Sequence, residues 1–225
     1  MSNPNNIDWT RFKELTAKLI EYQARMTSIP IRAESWEEVI YAVLLYMEHE
    51  VSWEPTSHAK GVDLEVGIGQ GIFDQQKVTI SAKGGKIENN ALSLSSYRLT
   101  RYRTLGNMLE FLKHNAEEID IYLICAREEQ YEQRTYNIFK VTPSALIPDA
   151  ALNPENWEET DQAWILTADV GFEARIVKSM SNQLWYSIPI DFPYLERLGT
   201  VKVSKSEMGS MLHEILKSFD EGKKQ

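Results

Sequence analysis

The chain of 225 residues has an ordinary globular composition, with 43% hydrophobic and 25% charged residues, and its length suits one domain. Its net charge of −9 argues against a basic protein that coats nucleic acid without specificity. The single cysteine, Cys125, excludes an intramolecular disulfide and a cysteine-based zinc site. No apolar run approaches the ~18 residues of a membrane span, and the N-terminal segment lacks a signal-peptide layout. We therefore expect a cytoplasmic protein with no membrane contact.

The N-terminal region predicts two helices. Apolar residues at three- and four-residue spacing predict an amphipathic helix over residues 8–27, which ends before Pro30. Ser35 and Glu38 form a capping box. This pattern predicts that a second helix begins at Ser35 and extends to about Glu50.

A β-hairpin is predicted to follow these helices. Residues 62–68 and 78–83 alternate between apolar and polar side chains, which is typical of strands with one buried face. A turn is expected near residues 74–76. The pair Gly84 and Gly85 marks the expected end of the second strand.

The remainder of the chain predicts further strands and helices. In chain order these are a short strand or loop at 91–96, a helix at 105–115, a buried strand at 119–126, strands at 136–141, 163–168, 174–180 and 184–190, and a terminal helix at 206–218. The sequence thus predicts a mixed α/β fold with flanking helices, as one domain over 1–225. Residues 127–225 would add strands and the terminal helix to a core at about 34–126.

Four polar side chains of the predicted hairpin share one face. In the expected register, Asp63 lies opposite Lys83 and Glu65 lies opposite Ser81. Because side chains alternate between the two faces of a strand, all four side chains lie on the same face. Carboxylates can hold a hard divalent cation, which polarises a phosphate and lowers the pKa of a bound water. A lysine can orient that water or neutralise charge in the transition state. The grouping suits phosphodiester hydrolysis; the alternative is a surface hairpin with a cross-strand ion pair.

Asp63 and the segment Ser81-Ala82-Lys83 on the next strand resemble the core motif of PD-(D/E)xK nucleases, most closely the type II restriction endonucleases. The acid-bearing helix before them and the basic, hydroxyl-rich segment after them fit the same pattern, so the resemblance covers about residues 34–126. It implies a restriction endonuclease-like core and a Mg²⁺-dependent enzyme with one or two metal ions per active site. Asp63 would bind metal, and Asp63, Ser81 and Lys83 would be catalytic. The resemblance also implies double-stranded DNA as the partner and a homodimer.

The sequence departs from this family at the second carboxylate. Ser81 stands where the family has an acidic residue. Some restriction enzymes with a serine here take the carboxylate from elsewhere. We expect Glu65 to be this second metal ligand, and Glu88 or the helix acid Glu38 is the alternative.

A basic region begins in the second strand of the hairpin, and its later part, residues 93–103, is the expected DNA-contacting element. Residues 77–103 hold six basic side chains and one acid. Arginine can bind phosphate and guanine in bidentate fashion, and hydroxyls add shorter contacts. The expected DNA-binding residues are Lys86, Ser95, Ser96, Arg98, Arg101 and Arg103, together with the amides Asn182 and Gln183, which can read adenine. The alternatives are a solvated helix start for the first group and a simple turn for the second.

These observations predict a type II restriction endonuclease-like enzyme that hydrolyses double-stranded DNA at a specific sequence. Two alternatives remain open. One is a non-catalytic binding or assembly protein with a nuclease-like fold, which the serine at position 81 favours. The other is a structure-specific repair nuclease, which would cut without sequence preference.

Overall fold

The computed structural model describes residues 7–53, 61–68, 76–168 and 171–221. In these ranges the protein is a mixed α/β fold with five helices and one sheet of eleven strands. The helices are α1 (Trp9–Met26), α2 (Ala33–Tyr46), α3 (Leu105–Glu118), α4 (Pro143–Leu146) and α5 (Ser210–Glu221). The strands are β1 (Glu50–Trp53), β2 (Leu64–Ile68), β3 (Gln76–Glu88), β4 (Ala91–Arg98), β5 (Ile121–Glu129), β6 (Gln133–Val141), β7 (Glu158–Glu159), β8 (Ala163–Thr167), β9 (Glu173–Val177), β10 (Gln183–Pro189) and β11 (Glu196–Ser204).

The first helix forms as predicted, but the second begins earlier than predicted. The Asp8 side chain caps α1 by accepting a hydrogen bond from the Arg11 backbone N–H. Helix α2 begins at Ala33, so the predicted capping box at Ser35 is wrong and that serine lies inside the first turn. The Trp36 backbone N–H already donates to the Arg32 carbonyl at 2.9 Å, which makes Arg32 the N-cap. The Trp36 side chain is fully buried and its indole N–H donates to the Leu123 carbonyl at 2.9 Å. This contact fixes the helix against the sheet.

Strand β3 is the longest strand and lies at the centre of the sheet. The sheet order is β11-β6-β5-β3-β4-β10-β9-β8-β7, with β2 also paired to β3 and β1 paired to β2. The pairing of β3 with β5 is parallel, and the other pairings are antiparallel. The prediction that Gly84 and Gly85 end the strand is wrong. A Cβ at Gly84 would lie 3.3 Å from the Ala33 backbone N, and one at Gly85 would lie 2.6 Å from Leu92 Cδ1. These glycines permit close packing within a continuous strand.

One edge of β3 is shared by two strands that leave a gap between them. β2 pairs with this edge as far as Ile80, and β4 pairs with it from Gly85 onward. The opposite edge is covered by β5 from Ile80 to Lys86. We call the gap, at residues 81–84, the fork. Asp63 lies at its mouth, immediately before β2.

The sheet buries a separate apolar cluster on each face. Helices α1 and α2 cover the cluster that contains Ile80 and Ala82, and α3 covers the cluster that contains Ile87 and Tyr122. Because side chains alternate along a strand, Ser81 and Lys83 point toward the α3 side.

The predicted strands over 119–126, 136–141, 163–168, 174–180 and 184–190 are confirmed, with adjusted ends. The terminal helix begins at Ser210 instead of Ser206. Strands β1 and β11 were not predicted. The expected turn at 74–76 lies outside the described residues except for Gln76, the first residue of β3. Among the described helices, none has the length and apolar character needed to cross a membrane.

Candidate active site

Asp63, Ser81 and Lys83 meet at the fork in one chain of hydrogen bonds. Asp63 Oδ2 accepts from the Ala82 backbone N–H at 2.7 Å and from Ser81 Oγ at 2.9 Å. Ser81 Oγ accepts in turn from Lys83 Nζ at 2.5 Å, and Lys83 Nζ lies 3.8 Å from Asp63 Oδ2. One carboxylate oxygen of Asp63 therefore fixes the strand edge and the serine, and among the described residues Oδ1 has no hydrogen-bond donor.

The register of the hairpin differs from the prediction by two residues. Glu65 lies opposite Thr79, so Asp63 falls level with Ser81 and not with Lys83. A shift of two preserves the face on which each side chain lies, whereas a shift of one reverses it. The predicted cluster of Asp63, Ser81 and Lys83 therefore forms, although the predicted pairing of Glu65 with Ser81 is wrong. Glu65 instead pairs with Lys77 Nζ at 2.8 Å.

Burial determines the electrostatics of Lys83. The side chains of Lys83 and Asp63 are each only 15% exposed, and Ser81 is fully buried. Burial lowers the pKa of Lys83 because the charged ammonium is poorly solvated, and the negative charges of Asp63 and Glu37 oppose this shift only in part. Its pKa therefore lies below the ordinary lysine value, so its neutral, proton-accepting form is more accessible than that of a surface lysine.

Two tyrosines form the wall behind Lys83. Lys83 Nζ lies 5.8 Å from the ring centroid of Tyr97 and 5.5 Å from that of Tyr122, and the two tyrosine hydroxyls are 3.0 Å apart. Burial raises the pKa of both tyrosines, so both stay neutral hydrogen-bonding groups. Gly61 makes room for Tyr97, because a Cβ at Gly61 would lie 2.9 Å from the Tyr97 ring. Its φ of +72° also favours glycine.

Helix α2 brings different acids to the site from the one predicted. Glu34 and Glu37 line the cavity at the fork, and the predicted acid Glu38 is exposed and lies outside the cavity lining. Glu37 is buried, at 9% exposure. Ala33 contacts Gly84, and Glu37 follows Ala33 by four residues on the same helix face, so the close approach at Gly84 directs Glu37 toward the fork.

The cavity at the fork has a volume of about 430 Å³ and two unlike walls. One wall carries Lys83 together with the acids Glu34, Glu37 and Asp63. The other is formed by the end of β4 and the residues after it. Four of the predicted DNA-binding residues line this second wall: Ser95, Ser96, Arg98 and Arg101. Among the described residues neither arginine has a carboxylate within 4 Å, so both guanidinium groups can bind an anion.

Gln183 holds Arg98 in place. Gln183 is buried, its Oε1 accepts from Arg98 Nε at 3.2 Å, and its Nε2 donates to the Ser96 carbonyl at 2.9 Å. Both ends of this amide have protein partners, so Gln183 orients Arg98 in the structure. Its predicted contact with a base stays a prediction. Asn182 lies in the preceding turn with φ of 50°, and its carbonyl accepts from the Leu99 backbone N–H.

The remaining predicted site residues lie outside the cavity lining. Lys86 forms an ion pair with Glu88, the alternative second carboxylate, two residues further along β3. Arg103 is exposed in the segment before α3. No group of three or more histidine, cysteine, aspartate or glutamate side chains arranged to hold a metal is found among the described residues.

Comparison of the chain with protein-family models, with curated proteins and with solved structures finds no significant match. The functional argument therefore depends on the residues of the site.

Proposed function

We propose that this protein is a Mg²⁺-dependent endonuclease that hydrolyses phosphodiester bonds in double-stranded DNA, with a restriction endonuclease-like core. One observation carries the proposal: a buried Asp63–Ser81–Lys83 chain of hydrogen bonds at the fork opens into a cavity whose opposite wall presents Arg98 and Arg101. A phosphodiester is a substrate that would use the groups on both walls of the cavity. It is an anion that the arginines can bind, and its hydrolysis needs a water activated beside it.

The donors at the fork suit Mg²⁺, which proteins usually hold through one or two carboxylates together with water. We assign Asp63 and Glu37 as the carboxylate donors, in place of Asp63 and Glu65. The N–H of Ala82 points to Asp63, and a strand residue directs its N–H and C=O to the same edge, so the Ala82 carbonyl oxygen also faces the fork as a third donor. When bound, the metal would polarise the phosphate and lower the pKa of a coordinated water.

The side chains of the fork have separate tasks in this proposal. Lys83, with its lowered pKa, accepts a proton from the attacking water or hydrogen-bonds to it. Ser81 holds the Lys83 amine next to Asp63. Arg98 and Arg101 bind the non-bridging oxygens of the scissile or adjacent phosphate and stabilise the negative charge that increases in the transition state.

Sequence-specific cleavage by a homodimer belongs to the same proposal and is supported by the sequence resemblance alone. A homodimer with two-fold symmetry matches a palindromic DNA site and can cut both strands. A structure-specific repair nuclease would use the same fork without this requirement.

One observation favours a second candidate, a non-catalytic DNA-binding or assembly protein. Position 81 supplies a hydroxyl and no carboxylate, and that hydroxyl already joins Asp63 to Lys83. A protein that binds metal at the fork should gain thermal stability with Mn²⁺ or Ca²⁺ whether or not it cuts, because the ion binds only the folded state.

The test is incubation of the purified protein with phage-length DNA and Mg²⁺, beside Asp63→Ala and Lys83→Ala. We expect discrete bands with the wild type and intact DNA with both variants. A smear with the wild type alone would favour the repair nuclease. Intact DNA with the wild type, with either Mg²⁺ or Mn²⁺ and at low and moderate salt, would contradict the proposed activity.

A further inference from the structure

One face of the sheet is uncovered next to the candidate site. The buried cluster beneath α1 and α2 takes side chains from β2, β3, β5, β6 and β11, and among the described residues it takes none from β4, β8, β9 or β10. The opposite face of β4, β9 and β10 is buried against the cluster beneath α3. In the described part of the chain, no helix therefore packs on this α1/α2 side of β4, β9 and β10. We call this side the open face.

Polar side chains cross the open face in two rows. The strand registers align Lys86, Ser93, Ser187 and Glu173 in one row, and Ser95, Trp185 and Arg175 in the next. The serines and Trp185 are half-buried, and Arg175 is exposed and paired with Glu173. The short serine side chains in the middle of the two rows leave room for another molecule to approach the backbone, and the longer charged side chains Lys86, Glu173 and Arg175 lie at the ends of the rows.

The first row ends in two adjacent cations. Lys86 on β3 lies beside Arg127 on β5 in the parallel register, and the alternation along β5 places Arg127 on the same face. Among the described residues Arg127 has no carboxylate within 4 Å, and Lys86 pairs only with Glu88. Like charges on neighbouring strands repel each other, so an anion between them is favoured. This local excess of positive charge stands out in a chain whose net charge is −9.

The open face continues into the cavity. Ser95 belongs to the second row and also lines the cavity, and Arg98 extends the same strand along the cavity wall. Lys86 lies three residues beyond Lys83 on β3, about 10 Å along the strand, and its side chain is on the opposite face of the sheet. The cavity at the fork joins the two faces, because residues of α2 and of α3 both line it. A nucleic acid whose scissile phosphate sits at Lys83 can therefore place its neighbouring phosphates over the open face.

We propose that the open face binds the backbone of the DNA duplex that flanks the scissile phosphate. The serine hydroxyls and the cations Lys86 and Arg127 would contact phosphate oxygens, as most protein–DNA hydrogen bonds do. A duplex fits better than a single strand, because single-strand binding uses several aromatic side chains as stacking platforms, and the two rows contain only Trp185. This inference rests on the proposed function.

Binding of a labelled 30-base-pair duplex tests this surface. The parent is the Lys83→Met protein with Ca²⁺, which is expected to bind without cutting. Ser93→Glu and Ser187→Glu place carboxylates under the duplex and should each raise Kd about tenfold or more, because like charges across an interface repel. Arg127→Gln removes one phosphate contact and should lower the slope of log Kd against log salt by about 0.9. Ser206→Glu, after β11 and away from the open face, is the control and should bind as the parent does.

The outcomes separate this surface from the proposed activity. If the wild type does not cut DNA but the open-face variants still weaken duplex binding, the activity fails and the surface stands. If the wild type cuts but these variants bind within twofold of the parent, with unchanged melting temperatures, the surface is overturned and the activity stands. Tighter binding of a single strand or of RNA than of the duplex overturns the duplex assignment. Absence of binding to all three overturns the surface as well as the activity.

Discussion

Two lysine–carboxylate pairs lie on the same face of the β2–β3 hairpin, and they differ chiefly in burial. Lys77 and Glu65 are 2.8 Å apart, with side chains 66% and 43% exposed, whereas Lys83 and Asp63 are 3.8 Å apart and 15% exposed. Hydrogen bonding to Glu65 and its charge raise the pKa of Lys77, whereas burial lowers the pKa of Lys83. The lysine pKa is thus shifted in opposite directions in two pairs that each join a lysine to a carboxylate. Burial at the fork distinguishes the candidate catalytic pair from an ordinary surface ion pair.

The largest expected effect separates the two carboxylates of these pairs. Asp63→Asn should reduce cleavage by about 1000-fold or more, because it removes the negative charge that we propose binds the metal. Glu65→Gln should change the rate by less than about twofold, since a surface ion pair is all that it loses. Cleavage of a plasmid with Mg²⁺ under single-turnover conditions measures both. Equal losses in the two variants would mean that Glu65, as the sequence predicted, is the second metal ligand.

A smaller effect is expected for the acids of α2. Glu37→Gln should weaken activation by Mg²⁺ about 10- to 100-fold, because one of two carboxylate donors is lost. Glu38→Gln, one residue along the same helix, should leave the Mg²⁺ dependence unchanged, because Glu38 lies outside the cavity lining. The Mg²⁺ concentration that gives half-maximal rate measures the difference. Loss in Glu38→Gln alone would contradict the placement of the helix.

The pH dependence of cleavage should follow the lowered pKa of Lys83. If the neutral amine accepts a proton, the rate rises up to tenfold per pH unit and levels off at the pKa of Lys83 in the protein, which lies below its ordinary value of 10.5. Lys83→Arg should lose this dependence, because arginine does not deprotonate in this range. Retention of the wild-type pH dependence in Lys83→Arg would exclude Lys83 as the base, leaving it an electrostatic role.

The smallest effect is expected at the arginine wall. Gln183→Met removes the hydrogen bond that orients Arg98, which in this proposal binds a phosphate and stabilises transition-state charge, so it should lower kcat/KM about five- to tenfold, which corresponds to about 1 kcal/mol. Gln130→Met, at an exposed position after β5, serves as the control. Steady-state kinetics on a short duplex measures this ratio. An unchanged kcat/KM would contradict the positioning of Arg98 by Gln183.

The sequence predicts one half of the site better than the other, for a physical reason. Alternation along two neighbouring strands determines which side chains share a face, so Asp63, Ser81 and Lys83 were identified even though the register was two residues off. Buried strands such as β5 also follow from composition alone. By contrast, β11 was not predicted, although Val201 and Val203 alternate with polar residues there.

The residues that sequence analysis misplaced depend on contacts between distant elements. Glu37 faces the fork because α2 docks through Ala33 on Gly84, and local periodicity does not report this docking. Arg98 and Gln183 meet across β4 and β10, 85 residues apart in the chain, so the sequence presents Gln183 only as part of a polar cluster. The adjacent glycines Gly84 and Gly85 were the available sequence signal that α2 packs closely on β3. Two adjacent glycines are also typical of the end of a strand, so this signal was ambiguous.

The most direct test of this account compares the two lysines on the hairpin face. Single-turnover cleavage of a duplex with saturating Mg²⁺ is measured for Lys83→Met and for Lys77→Met, with circular dichroism to establish that both are folded. We predict a loss of about 100- to 10,000-fold for Lys83→Met, the range expected for a general acid–base group, and a rate within twofold of the wild type for Lys77→Met. Full activity in folded Lys83→Met would contradict the assignment of the buried pair as the catalytic centre.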